Sequence, residues 1–225
     1  MRNDSFQDSV LPVWKPQMET SGDVVKKIKN QFDLKKVGHC GTLDPFAEGV
    51  LIIVSGDKTK SADKLMNSIK VYETTIVLGA ETDTLDIDGN IIKKDVSPFR
   101  IEKKKIEAVI PKFIGKIKQR PPAFSAKKIN GVRLYKLART DVFVSLKPVD
   151  ILIEDIEIIS LVNNELTIKV TCHKGTYIRK LGSDIAKSLG SFGYLKSLKR
   201  TRVGQFNSKN TLSLEDIAIW KDIPS

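Results

Sequence analysis

The spacing of apolar positions along the chain predicts alternating helices and strands. A first helix is indicated after Thr20 or Ser21, either of which can cap a helix start. Its apolar face consists of Val24, Val25, Ile28 and Phe32. A second helix is predicted from Tyr177 to Leu189, with Gly190 ending it. Apolar runs rich in β-branched residues predict strands over residues 10–13, 49–55, 69–78, 142–144, 150–159, 165–172 and 195–203.

Further helices are predicted over residues 102–110, which Pro111 ends, and over residues 133–139 and 213–220. Strands and helices interleave without a strict βαβ rhythm. This order predicts an α+β fold built on a mixed, largely antiparallel sheet flanked by helices. Because no repeat or Gly/Ser-rich linker divides the 225 residues, we expect a single domain spanning 1–225.

The chain is strongly basic, with a formal net charge of +11 at pH 7. Such an excess favours a polyanionic partner, and nucleic acid is the leading candidate. Local basic clusters lie at residues 103–105, 127–128 and 196–202. No apolar run approaches the roughly 20 residues that a membrane-spanning helix needs, and the first residues lack the apolar core of a secretory signal. We therefore expect a cytoplasmic protein without membrane contact.

Cysteine and histidine are scarce, and each cysteine adjoins a histidine: His39 with Cys40, and Cys172 with His173. Adjacent residues on extended backbone point to opposite sides, and structural zinc sites usually space their paired ligands by two or more residues. We therefore expect these four residues to form neither a metal site nor a disulfide, and both thiols to be reduced.

The segment from Val37 to Pro45 combines two glycines with a single carboxylate. Gly38 and Gly41 allow a turn of the backbone that side chains would block. The proline that follows Asp44 pushes this aspartate into an extended conformation, just before the apolar run 50–54. Loops on rigid strands often carry catalytic groups, but by residue type alone Asp44 could equally cap its own turn.

The stretch GHCGTLDPFAEGVLIIVSGDKTK, residues 38–60, resembles the signature of the TruB family of tRNA pseudouridine synthases. Other segments resemble the family in the same order along nearly the whole chain. These are Lys15-Pro16 with Thr20-Ser21, residues 69–72, residues 82–86 with Gly89, residues 119–128, residues 174–179 and residues 198–200. The departures from the family pattern are Trp14 for aspartate, Cys40 for threonine and Phe124 for tyrosine.

The resemblance implies that Asp44 is the catalytic residue. It also implies that Arg179 keeps Asp44 ionised in a pocket that excludes water, where burial alone would raise the pKa of the carboxyl. Tyr177 is implied to lie against the target base and to assist proton removal at C5. Tyr72 is implied to stack on the uracil, and Leu198 to close the pocket floor. By residue type alone, Tyr177 would be a core aromatic and Arg179 an exposed helix residue, and core packing of Leu198 is compatible with its implied role.

The resemblance also implies residues that contact the RNA. His39 matches the histidine that fills the space vacated when the uridine flips out of its loop. The acidic turn that carries Asp83 is expected to position the RNA loop. Its spacing partly resembles a calcium loop, but Thr84 stands where the first acidic ligand belongs, so we expect no calcium. The basic residues assigned to RNA binding are Lys15, Lys127, Lys128 and Arg200.

The implied reaction detaches uracil at N1, rotates it and rejoins it to the ribose through C5. It needs no cofactor, because neither electrons nor a donated group enter. The expected substrate is uridine 55 in the T arm of tRNA, acted on by a monomer without an obligate protein partner. The chain ends soon after Trp220, so we expect the family's small C-terminal RNA-binding domain, a PUA-like domain, to be absent or vestigial. Two alternatives are a guide-RNA-dependent relative and a non-catalytic tRNA-folding chaperone.

Overall fold

The computed structural model describes residues 6–96, 101–122, 124–125, 128–129, 132–133 and 146–219 of the protein. The chain divides into two compact units. Unit 1 comprises Met1–Tyr72 with Lys199–Ser225, and unit 2 comprises Glu73–Leu198. The strands Lys70–Leu78 and Gly193–Val203 contribute residues to both units.

In chain order, the strands are β1 (Val10–Lys15), β2 (Val37–Cys40), β3 (Glu48–Ser55), β4 (Lys70–Leu78), β5 (Ala80–Thr82), β6 (Ile91–Lys94), β7 (Gly115–Gln119), β8 (Lys128–Ile129), β9 (Val132–Arg133), β10 (Val149–Val162), β11 (Glu165–Cys172), β12 (Gly193–Val203) and β13 (Phe206–Asn207). The α-helices are α1 (Ser21–Gln31), α2 (Ala62–Met66), α3 (Lys103–Val109), α4 (Ile178–Ser188) and α5 (Leu214–Ile219). Short 3₁₀ helices cover Gly56–Ser61 and Ile110–Phe113.

Strand β3 is the central strand of the unit 1 sheet. It pairs antiparallel with β1 and with β2, and parallel with β12. Leu51 and Ile53 pack in a core cluster with α1, whereas three residues between and beside them pack in a second cluster. Those three residues are Val50, Ile52 and Val54. Because successive strand side chains point to opposite faces, burial on both faces explains the uninterrupted apolar run.

Helix α1 begins with a capping box at Thr20, one of the two residues predicted to cap it. Thr20 Oγ1 accepts from the backbone N–H of Asp23 at 3.0 Å, and Asp23 Oδ2 accepts from the N–H of Thr20 at 3.1 Å. Of the two predicted caps, Thr20 is the one used, and Ser21 is free to bond elsewhere. Val24 and Ile28 of the predicted apolar face are buried in the unit 1 core.

In unit 2 the strands follow the spatial order β12, β4, β11, β10, β7. Strand β10 pairs antiparallel with both β11 and β7. Every second residue of β11 is buried, from Leu166 to Cys172. Helix α4 lies close against this unit's strands, because Gly182 has no side chain. A Cβ there would lie 2.7 Å from Leu195 Cδ2.

The predicted α+β class with a mixed, largely antiparallel sheet is confirmed. The helices predicted to start near residues 20, 102, 177 and 213 are observed within a few residues of their predicted bounds. The helix predicted over 133–139 is wrong at Arg133, which pairs with Lys128 in the small β8–β9 sheet. The rest of that segment and the strand predicted over 142–144 lie outside the described residues. The hairpin of β5 and β6 was not predicted, because its strands are too short to show a period.

Candidate active site

The loop that carries Asp44 connects β2 to β3 in unit 1. Gly41 takes a φ of +93°, a conformation that favours glycine. Ser21 Oγ accepts from the N–H of Leu43 at 2.9 Å and donates to its carbonyl at 3.1 Å. The Asp44 carbonyl accepts from the N–H of Ala47 at 3.1 Å, which closes a turn after the aspartate. The half-buried Asp44 side chain is thus carried on backbone that is held from both sides.

Lys15 contacts the same loop from the interior and has no exposed surface. Its ammonium group donates to the carbonyl oxygens of Pro16 at 2.8 Å, Glu19 at 2.7 Å and Pro45 at 3.3 Å. These carbonyls match the three donors of an ammonium group. Burial lowers the pKa of Lys15 to about 8, although the charges of Glu19 and Asp44 oppose this shift. Lys15 was assigned to RNA binding from the sequence. Its burial argues instead for support of the loop.

Arg200 has a similar position, because it is 1% exposed. Its Nε donates to the Val50 carbonyl at 2.7 Å, and its Nη2 donates to the Gly41 carbonyl at 2.9 Å. The backbone of Arg200 also lies so close to Gly49 that a Cβ there would be 2.3 Å from the Arg200 carbonyl oxygen. The predicted phosphate contact of Arg200 is therefore at odds with its position, since the guanidinium links the two ends of the Asp44 loop.

Tyr72 and His39, the other predicted site residues of unit 1, lie on strands. Tyr72 is in β4 and is 9% exposed, so little of its surface meets solvent. His39 is half-buried in β2, where it pairs with Ile53 of β3. Side chains on paired strands are held more rigidly than side chains on loops.

Tyr177 stands at the start of helix α4 in unit 2, where its backbone is clamped by a buried amide. Gln119 Oε1 accepts from the Tyr177 N–H at 2.8 Å, and Gln119 Nε2 donates to the Tyr177 carbonyl at 3.1 Å. Gln119 is 2% exposed, and the Tyr177 side chain is half-buried. The start of the helix is therefore fixed by a side chain from the end of β7.

Arg179 lies one residue into the helix and is 5% exposed. Its Nη1 donates to the Thr84 carbonyl at 2.7 Å and lies 3.2 Å from Asp86 Oδ2, and its Nη2 donates to the Phe124 carbonyl at 2.7 Å. Thr84 Oγ1 in turn donates to Asp86 Oδ1 at 2.6 Å. The guanidinium is thus fixed in unit 2 by two carbonyls and a carboxylate. Its predicted pairing with Asp44 stays a prediction.

The acidic turn uses its carboxylates to bind protein groups. Asp83 Oδ1 accepts from the N–H of Asn90 at 2.9 Å, and the Asp83 side chain is exposed. Asp86 is 5% exposed and binds Arg179. A Cβ on Gly89 would lie 2.2 Å from Thr84 Oγ1, so the turn requires glycine there. Among the described residues, no group of three or more histidine, cysteine or acidic side chains could hold a metal ion.

Leu198 is 4% exposed in unit 2, a position compatible with core packing and with a pocket wall.

Lys127 lies outside the described residues, and Lys128 is placed by its backbone alone, in β8. The basic cluster at 196–202 is less available for phosphate contacts than its charge suggested, because two of its lysines form ion pairs. Lys196 pairs with Glu165 at 2.6 Å, and Lys199 with Glu48 at 2.9 Å.

Sequence reasoning missed several supporting residues. Gln119 lies within a segment that resembles the family but has no predicted role, and the sequence does not predict that Ser21 binds Leu43. Asp86 was noted in the acidic turn but not as a partner of Arg179. The one sign in the sequence was that these residues lie in segments that resemble the family. Their contacts leave no local pattern, because each contact joins residues far apart along the chain.

Each unit therefore presents chemistry on a fixed support. Unit 1 offers the Asp44 carboxylate on a braced loop, and unit 2 offers the Tyr177 phenol and the Arg179 guanidinium at a fixed helix start. A carboxylate can attack or stabilise an electron-poor sugar carbon, and a phenol can move a proton. A guanidinium can hold an anionic group in its charged form.

Comparisons with known proteins identify the family to which the chain belongs. The family model for the N-terminal domain of TruB family pseudouridylate synthases matches residues 29–178. Similar curated proteins named tRNA pseudouridine synthase B include one from Oceanobacillus iheyensis, 44% identical over 216 residues, and one from Francisella philomiragia, 43% identical over 210 residues. These alignments cover 92% and 93% of this chain, and 69% and 70% of the two relatives.

A solved structure with a similar fold is the crystal structure of a Cbf5-Nop10-Gar1 complex, with a TM-score of 0.75 and 28% sequence identity. The match covers 96% of this chain and 56% of the solved chain, so this chain spans little more than half of that neighbour.

Within the described part of the protein, none of the helices is long and apolar enough to span a bilayer.

Proposed function

Because the chain belongs to the TruB family of pseudouridylate synthases, we propose that it converts uridine 55 in the T arm of tRNA to pseudouridine. The family makes it a tRNA pseudouridine synthase, an RNA uridine isomerase. In this reaction the bond between uracil N1 and ribose C1′ breaks, and a bond between C5 and C1′ forms. The C5 proton is lost and N1 gains a proton, so substrate and product have the same atoms.

The proposed role of Asp44 is to act at C1′, as a nucleophile or as the counter-charge to the opening glycosidic bond. The observation that carries this assignment is the bracing of its loop. Ser21 bonds Leu43 on one side, and Lys15 bonds the Pro45 carbonyl on the other. A catalytic group that must meet one atom of a flipped nucleotide gains from such fixed placement, because small displacements cost large factors in rate.

The other site residues are proposed to handle the base and its charge. Tyr72 would stack on the uracil, and Tyr177 would assist removal of the C5 proton. Leu198 would close the apolar floor beneath the base, and His39 would fill the space that the flipped uridine leaves. Arg179 would keep the Asp44 carboxylate ionised during the reaction.

The direct test uses unmodified tRNA transcript and the purified protein, with no guide RNA and no second protein. We expect a single pseudouridine at position 55, mapped by chemical labelling and primer extension. Activity that requires an added guide RNA would favour the guide-dependent relative. Binding and refolding of tRNA without conversion would favour the chaperone. Either result would contradict the proposed function.

We propose that the protein recognises the T arm alone and binds it largely through phosphate contacts. We also propose that it acts as a monomer in the cytoplasm. The net charge of +11 supports phosphate contacts, and each neutralised phosphate should add roughly −0.9 to the log–log salt slope on duplex nucleic acid, and somewhat less on single strands. An isolated T-arm hairpin should then be converted, and tRNA affinity should fall steeply from low to physiological salt. An inert hairpin beside reactive full-length tRNA would show that distant parts of tRNA are needed.

A further inference from the structure

Glu81 is a buried carboxylate in unit 2 to which the proposed reaction gives no role. It lies in β5 and is 4% exposed. Ser183 Oγ donates to Glu81 Oε2 at 2.9 Å, and Lys187 Nζ lies 2.7 Å from the same oxygen. Lys93, its cross-strand neighbour in β6, places its Nζ 3.2 Å from Oε1. Both carboxylate oxygens therefore bind donors, and the contacts tie the β5–β6 hairpin to helix α4.

The Glu81 carboxylate is held in its charged form. Burial would raise the pKa of Glu81, but hydrogen bonds from Lys187, Ser183 and Lys93 outweigh burial and hold the pKa below its ordinary value. Ser183 is fully buried, whereas the two lysines reach solvent. This pairing favours one arrangement of the hairpin and helix α4, because displacing the helix removes two of the three donors, Ser183 and Lys187, from a buried charge.

The helix side of this cluster lies in one row with Arg179. Arg179, Ser183 and Lys187 are spaced four residues apart, which aligns them along one face of α4. The row is about 12 Å long at 1.5 Å per residue. The segment that starts in β5 follows this row in the opposite direction. Glu81 contacts its far end, and Asp86 contacts Arg179.

We propose that Glu81 is a positioning residue for Arg179, because it fixes helix α4 against the segment that holds the guanidinium. This inference rests on the proposed function, since it concerns the rate of that reaction. The Arg179 contacts with Thr84 and Asp86 fix the guanidinium end of the row, and the Glu81 contacts fix the other end two turns away. Without Glu81 the helix could slide or rotate about the Arg179 contacts, and the guanidinium would lose its fixed direction.

The test compares Glu81→Gln in two backgrounds. Glutamine keeps the shape of the side chain and removes its charge. In the otherwise wild-type protein we expect kcat on tRNA to fall roughly tenfold, with KM changed less than about twofold. In an Arg179→Lys background the same change should lower kcat less than about twofold further, because residues that act through one another are not additive. Equal falls in both backgrounds, or an unchanged kcat in Glu81→Gln, overturn the proposal.

Two control variants separate positioning from general stability. Glu165→Gln removes the carboxylate of a solvent-accessible ion pair with Lys196. Val170→Ala removes two methyl groups from the buried face of β11. Both should keep the wild-type kcat at a temperature where circular dichroism shows every variant to be folded.

A measurement on the free protein makes the test independent of RNA turnover. With isotope-labelled arginine, the guanidinium NMR signal of Arg179 is identified by its loss in Arg179→Lys. That signal should shift or broaden in Glu81→Gln and stay unchanged in Glu165→Gln and Val170→Ala. An unchanged signal in Glu81→Gln overturns the proposal. A wild-type protein that converts no tRNA contradicts the proposed function separately, while the NMR comparison still decides the role of Glu81.

Discussion

The side-chain amide of Gln119 bonds both polar groups of the Tyr177 backbone. Its Oε1 accepts from the Tyr177 N–H at 2.8 Å, and its Nε2 donates to the Tyr177 carbonyl at 3.1 Å. The two residues are 58 positions apart in the chain. This pair joins the edge strand β7 to the residue that immediately precedes helix α4, whose second residue is Arg179. The direction of the tyrosine and of the arginine behind it therefore depends on an amide that takes no part in the chemistry.

The variant Gln119→Leu should disturb both stability and turnover. Leucine leaves the Tyr177 N–H without its acceptor, which costs about 1–3 kcal/mol for an unsatisfied buried group, whereas the Tyr177 carbonyl still accepts from the Leu181 N–H at 3.0 Å. We expect a loss of about 2 kcal/mol in the free energy of unfolding, measured with denaturant, together with a lower kcat. Gln119→Glu keeps the acceptor for the Tyr177 N–H, so it should retain more activity than the leucine variant. Wild-type stability and turnover in Gln119→Leu would contradict the clamp.

Asp44→Asn should abolish pseudouridine formation without preventing RNA binding. The amide has almost the shape of the carboxylate but cannot supply its charge or act as an equivalent nucleophile at C1′. Turnover should fall below detection, and the Kd for tRNA should change by less than about threefold. Conversion is measured by mapping modified uridines, and affinity by filter binding. Substantial turnover by a preparation verified by mass spectrometry would refute the assignment of Asp44.

Arg179→Lys tests the planar fork of the guanidinium. Arginine reaches Thr84 and Phe124 carbonyls with its two terminal nitrogens and also meets Asp86, whereas lysine has a single nitrogen. We expect kcat to fall by roughly tenfold to a hundredfold while the variant remains folded. Single-turnover kinetics and a thermal melt provide the two readouts. Wild-type rates in this variant would show that the charge alone suffices.

Lys15 should make the stability of the protein depend on alkaline pH. Its pKa is about 8 in the folded protein and 10.5 in its ordinary state, so the unfolded chain binds more protons between these values. The free energy of unfolding of the wild type, relative to Lys15→Met, should therefore rise as pH increases from 8 to 10.5. The slope of this difference should not exceed about 1.4 kcal/mol per pH unit.

Denaturant unfolding of both proteins at several pH values between 7 and about 10 checks this prediction. Taking the difference between the two proteins cancels the contribution of every other group whose pKa change on unfolding is the same in the wild type and in Lys15→Met. Below pH 8 the difference should level off, because Lys15 is protonated in both the folded and the unfolded protein. A difference that stays flat or falls across pH 8 to 10 would contradict a buried ammonium with a lowered pKa.

The sequence by itself determined the elements that depend on local patterns. The capping residues and apolar spacing of α1, the continuous apolar run of β3 and the period of α4 each reflect a local rule of backbone geometry and burial. The same holds for the loop around Asp44, where the glycines permit backbone conformations that side chains would block and the proline restricts the backbone of the aspartate before it. The α+β class followed from the order of these elements, since each one shows its type within about a dozen residues.

Only the tertiary structure decided which charged residues are interior. Lys15 and Arg200 counted toward a basic surface in the sequence, yet both are buried against backbone carbonyls of the Asp44 loop. Net charge does not say where a charge lies, because a buried cation is stabilised by acceptors that come from other parts of the chain. The pairs Gln119–Tyr177 and Glu81–Ser183 join residues 58 and 102 positions apart. Such contacts leave no local period in the sequence, so only the folded chain reveals them.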